Sequence, residues 1–247
     1  DRFSKEHGID DKYSHLILLA KNNIGYQNLI KLVSISFKEG YYYKPRIDTN
    51  CLKEYSDGLI CLSGCLAGSV NKAILEDDLE KAKEIALWHK DVFGDDYYLE
   101  IQNNGVPEQV MANQKLIMLS RQLNIPLVAT NDTHYLKKED SYVHEILLCM
   151  QTGKKMTDPD RMRFQTNEFY LKSPEEMADY FSNFPDAIEN TVKIADKCNF
   201  EFEFGVTKLP NYDVPKEFET HEAYFRKLCD DGIKERYGEN PSDEVKE

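Results

Sequence analysis

The chain has 247 residues, 41% hydrophobic and 30% charged, the composition of an ordinary soluble globular protein with one large domain or one domain and an appendage. A formal charge of −13 argues against a whole-surface grip on nucleic acid, which needs clustered Lys and Arg. No stretch reaches the ~18 consecutive apolar residues of a membrane span, and the polar opening DRFSKEHGIDDKYS is not a signal peptide.

Six cysteines without a C-x-x-C pair point to free thiols in a reducing cytoplasm. The polar opening reads like a loop entered in mid-domain, so the chain is expected to be a fragment of something longer.

Strand-like apolar runs recur at wide spacing: His15–Ala20, Gly58–Ser63, Tyr97–Gln102 and Pro126–Thr130. Helical periodicity fills the gaps. Leu29, Leu32, Val33 and Ile35 fall near one face after Gly25. Leu79, Ala82, Ile85, Ala86 and Val92 do the same in a segment that Gly94 ends as a C-cap would. A third helix is predicted from Pro107, a residue suited to the first turn. Strands alternating with helices predict parallel pairing through right-handed crossovers, hence an α/β sheet or barrel with its chemistry just beyond the strands' carboxyl ends.

Beyond about residue 150 the pattern changes. A polar, turn-rich stretch leads to a short strand near Tyr170 and a helix whose capping box is Ser173 with Glu176, Pro174 standing between them. A longer helix is predicted in FPDAIENTVKIADKCNF, a linker through EFEFG and LPNYDVP, and an amphipathic helix in THEAYFRKLCDDGIKERYG. The expected organisation is residues 1–150, 151–210 and 211–247.

Four residues at strand ends invite a metal: His15 before HLILLA runs on, Cys65 after LICLSG, and Asp132 with His134 after PLVAT. Imidazole, thiolate and carboxylate form a ligand set for zinc, or for manganese or iron where carboxylate dominates. A tight turn accounts for Asn131 and Asp132 but not for His134, whereas a metal-binding or catalytic edge accounts for all three. Each residue also has a structural reading: a strand-start histidine, a small buried cysteine, a turn aspartate.

His144 sits at helical spacing with Val143, Ile146 and Leu147 and reads as a helix histidine. Glu100 reads as a hydrogen-bond or salt-bridge partner at a strand end. Lys44 and Arg46 beside three tyrosines in YYYKPRID could contact nucleic acid weakly, or the segment could be a loop packed on the sheet. No phosphate-binding glycine loop or nucleophile elbow is present.

The ordered segments HLILLAKNNIGYQNLIKLVS, YYYKPRID, GLICLSGCLAG, YYLEIQNNGVPEQ, PLVATNDTHYL, HEILLCMQTG, EFYLKSPEEM and NTVKIADKCNFEFEFG resemble the PHP (polymerase and histidinol phosphatase) domain of bacterial replicative DNA polymerase III alpha subunits, from about His15 to Gly238. TNDTHYL and LSGCLAG are the most specific pieces. The resemblance implies the C-terminal part of a distorted (β/α)7 barrel, followed by a small helical and extended segment leading toward the polymerase palm.

It also implies that His15, Cys65, Asp132 and His134 are metal ligands, with His15 and Cys65 on one ion and Asp132 and His134 on two others. Further ligands of the family's cluster, including a His-x-His pair, precede His15 there. The implied cofactors are a divalent metal (Zn, Mn or Fe) in the PHP site and Mg in a polymerase core outside this chain.

The implied function is DNA-directed DNA synthesis in replication by the parent subunit, a cytoplasmic enzyme, with this fragment alone inactive. The PHP site is expected to bind metal and either to support 3′–5′ phosphodiesterase chemistry or to dock a proofreading exonuclease. Implied partners are DNA, deoxynucleotides and other replicase subunits, with no membrane. A stand-alone PHP-type phosphoesterase is the alternative, opposed by the roughly 100 residues that follow Tyr135.

Overall fold

The computed structural model describes residues 1–9 and 12–246. They form two compact units, residues 1–201 and 202–247. The expected boundary near residue 150 falls inside the first unit.

The first unit is built on a four-stranded sheet in the order β1-β2-β3-β4, comprising Ile17–Ala20, Leu59–Leu62, Tyr97–Gln102 and Leu127–Thr130. The helices in chain order are α1 (Asn23–Lys38), α2 (Thr49–Glu54), α3 (Ser69–Leu75), α4 (Leu79–Phe93), α5 (Pro107–Leu123), α6 (Ser141–Thr152), α7 (Pro174–Tyr180) and α8 (Pro185–Lys197). All four predicted strands and the helices begun near Gly25, Leu79 and Pro107 are present. The predicted capping box forms: the Ser173 hydroxyl accepts from Glu176 N and the Glu176 carboxylate from Ser173 N. The strand expected near Tyr170 contracts to a single bridge between Tyr135 and Tyr170.

Beta pairing corrects one expectation. β2, β3 and β4 are parallel, but β1 runs antiparallel to β2, with Ile17 opposite Leu62 and Ala20 opposite Leu59. The cause lies in the connection. After Ala20 the chain goes out along α1 and returns through α2, so β2 starts at the end where β1 stopped; Lys21 N donates to Gly58 O across that junction at 2.8 Å. The amino end of β1, carrying His15, therefore lies at the same edge as the carboxyl ends of β2, β3 and β4. His15 bridges Gly68 there.

Both faces of β2 and β3 are covered, which is why LICL and YYLEIQ are buried throughout. Leu59, Cys61, Tyr97, Leu99, Ile101 and Ala129 join the main core with Ala82, Ala86, Ala112, Leu116 and Leu119 from α4 and α5. Ile60, Leu62, Tyr98 and Val128 point the other way and meet Ile194 of α8. Asn190 of α8 donates to Leu127 O at 2.7 Å, fixing α8 to the start of β4. Alternation continues along β3 past Tyr98, so Glu100 and Gln102 share its face at the carboxyl end.

The second unit holds α9 (His221–Tyr237) and α10 (Asp243–Lys246). Thr220 caps α9 by accepting from Ala223 N at 3.1 Å. Tyr212 stacks on Tyr224 with ring centroids 5.8 Å apart. None of this unit's described residues is buried. Among the described residues no helix is long and apolar enough to cross a membrane.

Candidate metal centre

Two loops at the carboxyl edge carry the predicted ligands. The loop after β2, Ser63–Gly68, is held tightly. Gly64 adopts a left-handed φ of +82°, and a Cβ on Gly68 would lie 2.2 Å from Ser63 O, so both positions need glycine. Asn71 from α3 donates to Gly64 O and Cys65 O at 3.2 and 3.0 Å, and His15 N donates to Ala67 O at 2.9 Å.

This arrangement brings Cys65 Sγ to 3.6 Å from His15 Nδ1. Donors on one tetrahedral zinc, at ~2.3 Å for sulfur and ~2.0 to 2.1 Å for nitrogen, lie roughly 3.6 Å apart. The pair has the spacing of two ligands to one ion. Burial pushes the Cys65 thiol above its usual pKa, helped by the negative charges of Asp132 and Glu100.

The second loop leaves β4 through Asn131 and Asp132. Asp132 takes a left-handed φ of 52°, a conformation Asp tolerates at a cost of order 1 kcal/mol. The turn reading therefore holds for this residue. Asp132 Oδ1 lies 3.5 Å from His134 Nε2, too far for a good hydrogen bond but close to the roughly 3.4 Å expected of carboxylate and imidazole donors on one ion. Asp132 and His134 thus stand close together at this edge.

Cys65, Asp132 and His134 line one cleft of about 300 Å³, together with Gln102, Arg163 and Phe164 among others. His15 joins the group through Cys65. Among the described residues, no three His, Cys, Asp or Glu side chains converge as they would around a single ion. The donor set fits a divalent metal in chemistry and in pairwise spacing, with two protein donors per position.

The remaining predicted residues lie apart from this edge or support it. Arg46 donates to the carbonyls of Gly40 (3.0 Å), Ser4 (2.8 Å) and Arg2 (3.3 Å) and stands over the Tyr42 ring at 5.4 Å. It works as a tether for the N-terminal segment, and its donors are spent on backbone. Lys44 is exposed. His144 does lie on a helix, α6, but its ring centroid is 5.6 Å from that of His134 and 4.9 Å from that of Phe164. Burial, then the proximity of His134, lowers its pKa.

Sequence reading missed the polar layer beneath the cleft. Asn104, 1% exposed, donates to Asn131 O (2.9 Å) and Glu168 O (3.0 Å). Its amide oxygen accepts from Gln109 Nε2 at 2.9 Å, and its backbone N–H donates to Gln109 Oε1 at 2.7 Å. His134 is fixed on the other side by its own N–H to Phe169 O at 2.8 Å and by Phe164, edge-on at 4.6 Å. Arg163 was also missed; it lines the cleft, is exposed, and makes no ion pair or hydrogen bond among the described residues. The strand-end NN pair after YYLEIQ was the available signal for Asn104. RMRF gave none, being embedded in a polar, turn-rich stretch.

Residues 3–104 match the PHP domain family. The chain is 49% identical over 224 residues to the DNA polymerase III subunit alpha of Borreliella burgdorferi, covering 90% of this chain and 20% of that protein. The proteins of the same name from Campylobacter jejuni and Thermus aquaticus are 45% and 42% identical, over 92% and 96% of this chain and 22% and 20% of theirs. The chain thus spans about a fifth of the length of these relatives. The similarity to these subunits runs on past α8, and on these grounds residues 3–104 belong to the PHP domain family, within a chain that is similar throughout to one segment of DNA polymerase III alpha subunits.

Proposed function

We propose that this chain is the PHP segment of a replicative DNA polymerase alpha subunit and that its cleft is a divalent-metal site acting on phosphodiesters. The observation that carries this is the pair of donor spacings, 3.6 Å for His15 with Cys65 and 3.5 Å for Asp132 with His134, at one sheet edge. The parent protein's activity is DNA-directed DNA synthesis, with Mg in a core outside these residues, and its partners are DNA, deoxynucleotides and the other replicase subunits. The complete fold on this reading is a (β/α)7 barrel, to which the four strands contribute one side.

A bound Zn, Mn or Fe ion supplies Lewis acidity and a water of lowered pKa. The chain's own residues do the rest. His15 and Cys65 hold one metal position and Asp132 with His134 another. Arg163, a cation without an ion-pair partner among the described residues, pairs with a phosphodiester oxygen at the cleft. Leu66, Val106, Phe164 and Phe169 supply apolar walls that limit water and pack against sugar or base. The same surface could instead dock a proofreading exonuclease. The unpaired Arg163 beside the donor set favours hydrolysis of the 3′ end. Continuity of the similarity to alpha subunits past α8 disfavours a stand-alone phosphoesterase.

The test uses the full-length protein that carries this chain. Asp132→Ala and His134→Ala each lower bound metal and abolish 3′–5′ hydrolysis of single-stranded DNA, while primer extension persists. Wild-type metal content in both variants overturns the reading.

A further inference from the structure

Glu100 is the one carboxylate of the sheet interior that the ligand assignment leaves unused. It is 4% exposed and makes no ion pair among the described residues. A buried, unpaired carboxylate is costly unless donors and a cation compensate it.

The donors are present, and they divide between the two ligand loops. Glu100 Oε2 accepts from Gly64 N at 3.1 Å, the residue before Cys65. Glu100 Oε1 accepts from the Thr130 hydroxyl at 2.5 Å, two residues before Asp132, and from Gln102 Nε2 at 2.9 Å. Its own N–H donates to Ser63 Oγ at 2.8 Å. Gln102 Nε2 also donates to Thr130 Oγ1 at 3.1 Å, closing the group.

We propose that Glu100 is a positioning residue of the metal site, a buried carboxylate that ties the Cys65 loop to the Asp132 loop and whose charge is compensated by the cation they bind. The inference rests on the metal reading above. Gly64 N–H on one oxygen and Gln102 NH2 on the other can only donate, so both oxygens are held as acceptors. Glutamine has the same shape, but its NH2 would face Gly64 N–H on one side or the Gln102 and Thr130 donors on the other. One loop must then let go. Burial raises the Glu100 pKa, and the charge of Asp132 adds to it.

The test is zinc affinity of the full-length protein by competition with a chromophoric chelator, at a temperature well below unfolding. Thermal unfolding of the metal-free protein and amide exchange at Gly64 are measured alongside. Glu100→Gln should weaken zinc binding about 10- to 100-fold, the usual effect of removing a residue that orients ligands, and speed exchange at Gly64. Thr130→Val, which removes a single donor, should weaken it several-fold and serves if Glu100→Gln does not fold. Wild-type binding with a Glu100→Gln Kd within twofold, even at reduced stability, overturns the inference alone. A wild-type protein that binds no zinc at this site overturns the metal reading and the inference with it.

Discussion

Asn104→Ala probes how the Asp132 loop is held. The substitution removes three hydrogen bonds at a position 1% exposed, those to Asn131 O, Glu168 O and Gln109 Nε2, although Glu168 O keeps Lys172 Nζ and Gln109 Nε2 keeps Gln102 Oε1 at 3.4 Å. Each such neutral hydrogen bond is worth about 1 kcal/mol net, so the loss is about 3 kcal/mol. For a unit of this size that lowers the unfolding midpoint by roughly 6 to 12 °C. Trp88, the single tryptophan, packs against the main core and reports this unit's unfolding by fluorescence. Amide exchange at residues 131–134 should accelerate in parallel. Asn104→Asp, of equal size, sets a carboxylate against two carbonyl oxygens and should cost at least as much. A midpoint within about 2 °C of wild type with unchanged exchange would refute the claim that Asn104 anchors this loop.

Two further outcomes follow from a buried imidazole and an engaged cation. Burial holds the His89 pKa below its usual 6.5, while Nδ1 donates to Ile85 O at 2.8 Å and the ring stacks on Tyr97. The unfolded chain thus takes up this proton first. Stability is full above about pH 6.5 and falls as pH drops from there through the folded pKa, by at most ~1.4 kcal/mol per pH unit for one group; His89→Phe should flatten that part of a urea-unfolding pH series, leaving the share due to His144. Arg46→Ala should destabilise the first unit by about 2 kcal/mol through the lost carbonyl contacts, yet leave affinity for single-stranded DNA in a polarisation assay unchanged; a selective loss of DNA binding would restore Arg46 as a phosphate contact.

The apolar runs marked every strand, because burial keeps most of each strand apolar, with Glu100 and Gln102 at the end of β3 as the exceptions. The direction of β1 was not written in HLILLA, since an edge strand's orientation depends on where α1 and α2 return the chain. That direction puts His15 beside Cys65, 50 residues away, so their pairing could come only from resemblance and not from spacing. The six- and seven-residue helices α2 and α3 are too short to show a period. YYLEIQ did carry a signal: period-two alternation puts Glu100 and Gln102 on the face of Tyr98, opposite the main core. Arg163 reaches the cleft through an irregular return after α6, which no periodicity encodes.

His15 and Cys65 are proposed to bind metal together. Cobalt(II) titration of the full-length, metal-free protein tests it most directly, because a thiolate ligand gives a charge-transfer absorption that the other donors lack. Six cysteines make Cys65→Ser the decisive control. A thiolate-to-cobalt band is expected in the wild type, lost in Cys65→Ser and weakened in His15→Ala; no band in the wild type, or an undiminished band in Cys65→Ser, would rule out this metal position.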